Sequence, residues 1–243
     1  MEVFADPRAV TNAAVEAVVE AAARAVDAAG RFLVALCGGS TPRAVFQQLA
    51  VPGFADRIEW EAVHVFWGDE RCVAPTDPSS NYAMAREILL DQVGVKPGHV
   101  HRIRGEDDPD AAAGAYERLL RRSFITPEGP PGHDTGSRFD LVLLGMGPDG
   151  HTASLFPGTP AVAETQRWVV PVESPVPPRR RVSLTSPLIN AAAEKLFMVT
   201  GEAKAAALAG VLRGPRDPDT LPAQMIEDAR WLIDEAAASM LGS

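Results

Sequence analysis

The chain has 243 residues, 46% of them hydrophobic, with 23 basic against 32 acidic side chains for a net charge of −9. That length accommodates one large α/β domain, and the ordinary composition excludes disordered, collagen-like and coiled-coil proteins. The acid excess argues against a general nucleic-acid surface, and no run reaches the roughly 18 apolar residues that a membrane span needs.

Met1–Asp6 has no basic region ahead of an apolar stretch, so no signal peptide is expected. From Pro7 to Ala29, Val10, Ala14, Val18, Ala21 and Ala25 fall at helical spacing, and Gly30 stops the pattern. Phe32–Leu36 is a short apolar strand running into Cys37-Gly38-Gly39-Ser40-Thr41-Pro42. Thr41 as cap and Pro42 as first-turn residue predict a helix through Val45, Phe46 and Leu49. Val63–Trp67 is a strand ending in Gly68-Asp69-Glu70-Arg71. A polar stretch through Pro75, Pro78 and Ser80 then leads to predicted helices over Asn81–Gln92 and Ala111–Arg122.

The Gly- and Pro-rich segment Thr126–Ser137 is expected to be a loop. Leu141–Leu144 is apolar without alternation, as in a parallel strand covered on both faces. Further strands are expected at Trp168–Val172, Arg181–Leu184, Lys195–Thr200 and Arg230–Ile233, with helices between and after. The alternation predicts a three-layer α/β/α fold with a mainly parallel, Rossmann-like open sheet and right-handed crossovers. No short-period repeat interrupts the chain, so a single domain over residues 1–243 is expected. Cys37 and Cys72 are too few for a disulfide framework, and free thiols in a reducing cytoplasm are the simplest account. The histidines (His64, His99, His101, His133, His151) have no metal-ligand spacing; His99 and His101 would share one strand face, but no metal is expected.

Four polar turns follow strands. Gly38-Gly39-Ser40-Thr41 frees backbone amides at a helix start, which suits a phosphate, although an ordinary strand-to-helix connection has the same pattern; neither a Walker loop nor G-x-G-x-x-G is present. Asp69-Glu70-Arg71 reads as solvated charge or as a binding group. Gly145-Met146-Gly147-Pro148-Asp149-Gly150-His151 delivers an acceptor and a proton-transfer group, or is a tight turn with a solvated histidine. Arg181-Val182-Ser183-Leu184-Thr185 and Gly201-Glu202-Ala203-Lys204 each add a cation, and Lys204 in a first helical turn opposes the helix dipole unless an anion is near. The four turns share a place, the carboxyl ends of strands, where open α/β sheets bind ligands. No G-x-S-x-G elbow occurs, and Ser154, three residues beyond His151, has no readable triad.

These motifs resemble those of 6-phosphogluconolactonases: Gly38-Gly39-Ser40-Thr41-Pro42, Trp67-Gly68-Asp69-Glu70-Arg71 with Ser80-Asn81-Tyr82, Leu144–Pro157, and Gly201-Glu202-Ala203-Lys204-Ala205 after Arg181. They stand in family order from about residue 32 to Pro222, nearly the whole chain; the third is the specific one, and the first is shared with relatives. The related glucosamine-6-phosphate deaminases have a similar Asp-Gly-His turn, but with a ring-opening glutamate where this chain has Phe156.

The resemblance implies hydrolysis of 6-phospho-D-glucono-1,5-lactone to 6-phospho-D-gluconate, the second step of the oxidative pentose phosphate pathway. It implies a small-molecule sugar-phosphate partner, no cofactor, no metal, no nucleic acid or membrane, a cytoplasmic location, and a monomer or homodimer. His151 is then the general base on water, with Asp149 positioning its turn. Arg71 stabilises the oxyanion, and Asp69 binds sugar hydroxyls or orients Arg71. Gly38, Gly39, Ser40, Thr41, Arg181 and Lys204 grip the phosphate, with Arg181 preferred to Arg179 and Arg180 by the family's Arg-x-Ser/Thr-Leu-Thr pattern. The alternatives are a deaminase- or isomerase-like enzyme and a non-enzymatic sugar-phosphate sensor; no helix-turn-helix segment or basic tail links the domain to DNA.

Overall fold

The structure, a computed structural model, describes residues 1–124 and 138–242. The loop expected at Thr126–Ser137, and His133 with it, lies outside the described residues. The first half contains β1 (Glu2–Phe4), α1 (Pro7–Ala29), β2 (Phe32–Leu36), α2 (Ser40–Leu49), α3 (Pro52–Ala55), β3 (Val63–Trp67), β4 (Asp69–Arg71), α4 (Asn81–Ala85) and α5 (Pro109–Phe124). After the undescribed segment come β5 (Leu141–Leu144), β6 (Val169–Glu173), β7 (Arg180–Leu184), α6 (Ser186–Ala191), β8 (Glu194–Val199), α7 (Ala205–Arg213), β9 (Arg230–Asp234) and α8 (Glu235–Ala238).

Strands β1, β9, β8, β5, β2 and β3, in that order, form one wholly parallel sheet. Every residue of β2 and β5 is buried, as strands covered on both faces require. Helices lie on both sides, with α1 packed on β2, β8 and β9. The Asp6 carboxylate caps α1 by accepting from the Ala9 amide at 2.7 Å, and Gly30 ends it at φ 68°, in the left-handed region. Among the described residues no helix is long and apolar enough to cross a membrane.

The structure corrects several expectations. Strands β6 and β7 stay outside the parallel sheet, pairing antiparallel with each other and with β4 in a second sheet of order β4-β7-β6. Residues 174–179, with Pro175, Pro177 and Pro178, carry no helix and fall short of the dozen or so residues that a parallel crossover needs. Thr41 does not cap α2: the helix begins at Ser40 behind Gly39, and the Thr41 hydroxyl instead meets that of Thr200 at 2.8 Å. The helix expected over Asn81–Gln92 gives way after Ala85 to a wider turn, Arg86–Leu90, closed by the Asp91 amide on the Arg86 carbonyl. His99 and His101 do not share a strand face, because Pro97–His99 is a short 3-10 turn.

Gly68 is the pivot between the sheets. Its N–H donates to Leu36 of β2 at 2.8 Å, while its carbonyl accepts from Leu184 of β7 at 2.8 Å. Just before it, the Tyr116 hydroxyl accepts from the Trp67 amide at 2.9 Å and donates to the Trp67 carbonyl at 3.1 Å. A side chain of α5 thus satisfies backbone groups that no further strand reaches. The Glu117 carboxylate accepts from the Trp168 and Val169 amides, holding the second sheet to the same helix.

Candidate active site

Three turns and two strand ends converge at the carboxyl edge of the parallel sheet. The first turn follows β2. A Cβ on Gly38 would stand 1.9 Å from the Asn81 amide oxygen, so only glycine allows that close approach. Gly39 has φ 114°, another conformation that excludes side chains, and it leads into Ser40 and Thr41 at the start of α2.

The second group is β4. Asp69 is buried, and its carboxylate accepts from Asn81 Nδ2 at 3.0 Å and from Ser154 Oγ at 2.6 Å. It has no hydrogen bond to Arg71, so the expected direct orientation of Arg71 by Asp69 is not what the geometry provides. Arg71 Nη1 donates to the Ser79 carbonyl instead, and its buried Nε has no partner. Glu70 points away from this chemistry. Its carboxylate accepts from the amides of Arg71, Asn81 and Tyr82 and from the Ser80 hydroxyl, and burial pushes its pKa up against those four bonds. It is a buried clasp that sets the 80–82 turn.

The third group is the turn after β5. A Cβ on Gly147 would meet His151 Nδ1 at 2.0 Å and Asp149 Oδ1 at 2.5 Å, so the two functional side chains fold over a bare backbone. Gly147 N–H donates to the His151 carbonyl at 2.8 Å, and Thr152 Oγ1 donates to the Gly145 carbonyl at 2.9 Å. Asp149 Oδ1 lies 2.5 Å from His151 Nδ1. Burial pushes the Asp149 carboxyl up, but the hydrogen bond and charge of His151 outweigh it and hold the acid below its usual range. The ionised carboxylate accepts a hydrogen bond from Nδ1–H, which leaves the lone pair on Nε2. Ser154 is fully buried and committed to Asp69, so it serves no nucleophilic role.

Two cations complete the site. Arg181 is buried on β7, while Arg179 and Arg180 are exposed. Its Nε donates to the Pro178 carbonyl at 3.1 Å, and its guanidinium carbon stands 5.3 Å from the Phe156 ring centre. Lys204 ends the short turn Glu202–Lys204 after Gly201, which has φ 93°. Both carboxylate oxygens of buried Asp234 accept from the Gly201 amide at 3.0 Å, and Oδ1 also caps α8 through Ala237 at 2.8 Å. Burial holds both cations below their usual ranges, against the pull of Asp69 on Arg181 and of Asp149 on Lys204.

The resulting cleft has two adjoining lobes. One, of about 200 Å³, is lined by Asp69, Arg71, His151, Arg181 and Cys37 among others. The second, of about 110 Å³, is lined by Ser40, Thr41 and Thr200. Gly38, Gly39, Gly145, Met146 and Lys204 border both. Asp149 supports His151 from behind without lining either lobe. Among the described residues none of Arg71, Arg181 and Lys204 is in an ion pair. The Cys37 thiol is pushed up by burial and by Asp69, which makes it a poor nucleophile. Sequence reading overlooked Asn81, Ser154, Thr200 and Asp234 as parts of the site. Asn81 and Ser154 fall inside motifs of the resemblance without a role of their own, and Asp234 left a local signal, an acid at a strand end just before Glu235-Ala236-Ala237-Ala238.

A sequence model described as glucosamine-6-phosphate isomerases/6-phosphogluconolactonase matches residues 5–233. The chain is 41% identical over 252 aligned residues to a 6-phosphogluconolactonase of Mycobacterium tuberculosis, covering 100% of this chain and 98% of that protein. It is 37% identical over 245 residues to a 6-phosphogluconolactonase of Nostoc, covering 99% and 98%. The solved structure of 6-phosphogluconolactonase from Trypanosoma cruzi matches with a TM-score of 0.85 at 28% identity, covering 99% of this chain and 96% of that one.

Proposed function

The chain belongs to the glucosamine-6-phosphate isomerase/6-phosphogluconolactonase family, and within it we propose an enzyme that hydrolyses 6-phospho-D-glucono-1,5-lactone to 6-phospho-D-gluconate, the second step of the oxidative pentose phosphate pathway. The observation that carries this reading is one cleft with two unlike lobes. An imidazole backed by a carboxylate stands in one; hydroxyls and a glycine turn at a helix start stand in the other, with Lys204 between them.

His151 Nε2 removes a proton from water as the water oxygen bonds to lactone C1. The negative charge that develops on the carbonyl oxygen is met by Arg71. Collapse of the tetrahedral intermediate breaks the bond from C1 to the ring oxygen, which takes the proton back from His151; the carboxylic acid formed gives its proton to solvent, and the product leaves as a carboxylate. Asp69, held by Asn81 and Ser154, accepts from sugar hydroxyls. Gly38, Gly39, Ser40, Thr41 and Lys204 hold the phosphate, with Arg181 reaching it from the neighbouring lobe. A partly desolvated cation gains more from an anion than a hydrated one, which is how an acidic chain retains an anionic ligand.

The residues lining the two lobes are drawn from positions between 37 and 204, which supports a single working domain. All of them come from one copy, so a monomer or a homodimer suffices. Buried Phe156 supplies no ring-opening acid, which favours hydrolysis over deamination. The test is turnover of freshly made lactone above its spontaneous hydrolysis, beside ammonia release from glucosamine 6-phosphate. Catalysed lactone loss without ammonia is expected; ammonia release without lactone loss would overturn the assignment.

A further inference from the structure

We propose that Phe156 is a positioning residue that holds the general base and a substrate-binding cation of the cleft on one aromatic ring; its kinetic consequences rest on the lactonase reading. Phe156 is 1% exposed. Its centroid lies 4.4 Å from that of the His151 ring at an interplanar angle of 39°, and the Arg181 guanidinium carbon lies 5.3 Å from the same centroid. The Phe156 carbonyl accepts from the Thr159 hydroxyl at 2.8 Å, which ties the ring's own backbone down.

Each of the two functional groups is otherwise held at one point. Asp149 fixes His151 at Nδ1, but a single hydrogen bond leaves the imidazole free to tilt about that point. The Pro178 carbonyl fixes Arg181 at Nε and leaves the rest of the fork to swing. A flat, immobile ring against both removes those motions, and its electron-rich face attracts the guanidinium. The same ring therefore aims Nε2 at water and the guanidinium at the substrate anion.

Phe156→Leu keeps an apolar side chain and removes the flat face. In folded protein it should lower kcat and raise KM for the phosphorylated lactone, each by about 2- to 30-fold, the range set by ring–cation contacts. A purely structural role would lower Tm and leave both constants alone. Coupling separates the two further. In an Arg181→Ala background Phe156→Leu should raise KM no further, and in a His151→Ala background it should lower kcat no further. Effects that multiply in those backgrounds, or wild-type constants in folded Phe156→Leu, would overturn the proposal.

Imidazole NMR of His151 reads the same device without substrate, so its outcome is separate from that of the lactonase assay. The wild-type ring should show one tautomer, protonated at Nδ1, and Phe156→Leu should mix the two; an unchanged spectrum counts against the proposal. If Phe156→Leu does not fold, Phe156→Met, which is unbranched and adaptable, carries the same measurements.

Discussion

His151 depends on a glycine turn and on the Asp149 carboxylate that fixes its tautomer. Replacing His151 with Ala should lower the enzyme-dependent rate by about 10²–10⁴-fold, the usual worth of general-base assistance, while phosphate affinity persists. Steady-state kinetics beside phosphate titration checks both halves, and near-normal turnover would remove His151 from the mechanism. Lys204→Ala and Arg181→Ala should each raise KM for the phosphorylated lactone by about 10–150-fold, the loss of one charge-assisted hydrogen bond at a partly buried site. Neither should alter the slow turnover of unphosphorylated δ-gluconolactone. If Arg181→Ala impairs both lactones alike, Arg181 serves the carbonyl rather than the phosphate. His151, Asp149 and the glycine loop were legible because each sits in a contiguous motif with a strand before it. The partners that fix Asp69 were not: Ser154 lies 85 positions away, and Asn81 acts through a turn clasped by Glu70.

At the scale of elements, the site exists because the chain changes sheets at Gly68 and so swings Asp69 and Arg71 out over the parallel edge. The parallel strands could be read from their unbroken apolar runs, since strands buried on both faces admit little else. The second sheet could not: β6 and β7 look like strands, but their pairing with the three residues of β4 depends on contacts that no local pattern encodes. The start of α2 was misread for a related reason. Thr41 has a capping side chain, but Thr200, just after β8, competes for its hydroxyl, and Gly39 makes the entry. Asp234 shows how one remote acid controls an element end. Asp234→Ala should lower Tm by a few degrees through loss of the α8 cap. It should also raise KM severalfold by freeing the Gly201–Lys204 turn. Thermal unfolding with kinetics decides; a lower Tm with an unchanged KM would confine Asp234 to stability.

For the whole molecule, the titrating feature outside the cleft is the imidazole cluster beside β3. His64 Nδ1 and His101 Nε2 are 3.1 Å apart with rings within 4° of parallel, and His99 stacks on His64 at a centroid distance of 3.8 Å. Burial, and then neighbouring histidine charge, push His64 and His101 each down to about 4. In the unfolded chain they would titrate near 6.5, so that form binds more protons between about pH 6.5 and 4. Stability traceable to the pair is therefore intact above about pH 6.5, falls as pH drops, and levels off below about 4. Tm should fall across that window, and less steeply in a His64→Gln/His101→Gln variant; identical slopes would show that the pair does not set acid sensitivity. The central claim concerns the carboxyl edge of the sheet, where one cleft joins a hydrolytic lobe to a phosphate lobe. Its most direct test is the background-corrected kcat/KM of wild-type protein for 6-phospho-D-glucono-1,5-lactone and for unphosphorylated δ-gluconolactone. The account predicts a preference for the phosphorylated lactone of at least tenfold, which corresponds to about 1.4 kcal/mol of transition-state binding drawn from the remote phosphate. Equal values for the two lactones would contradict it.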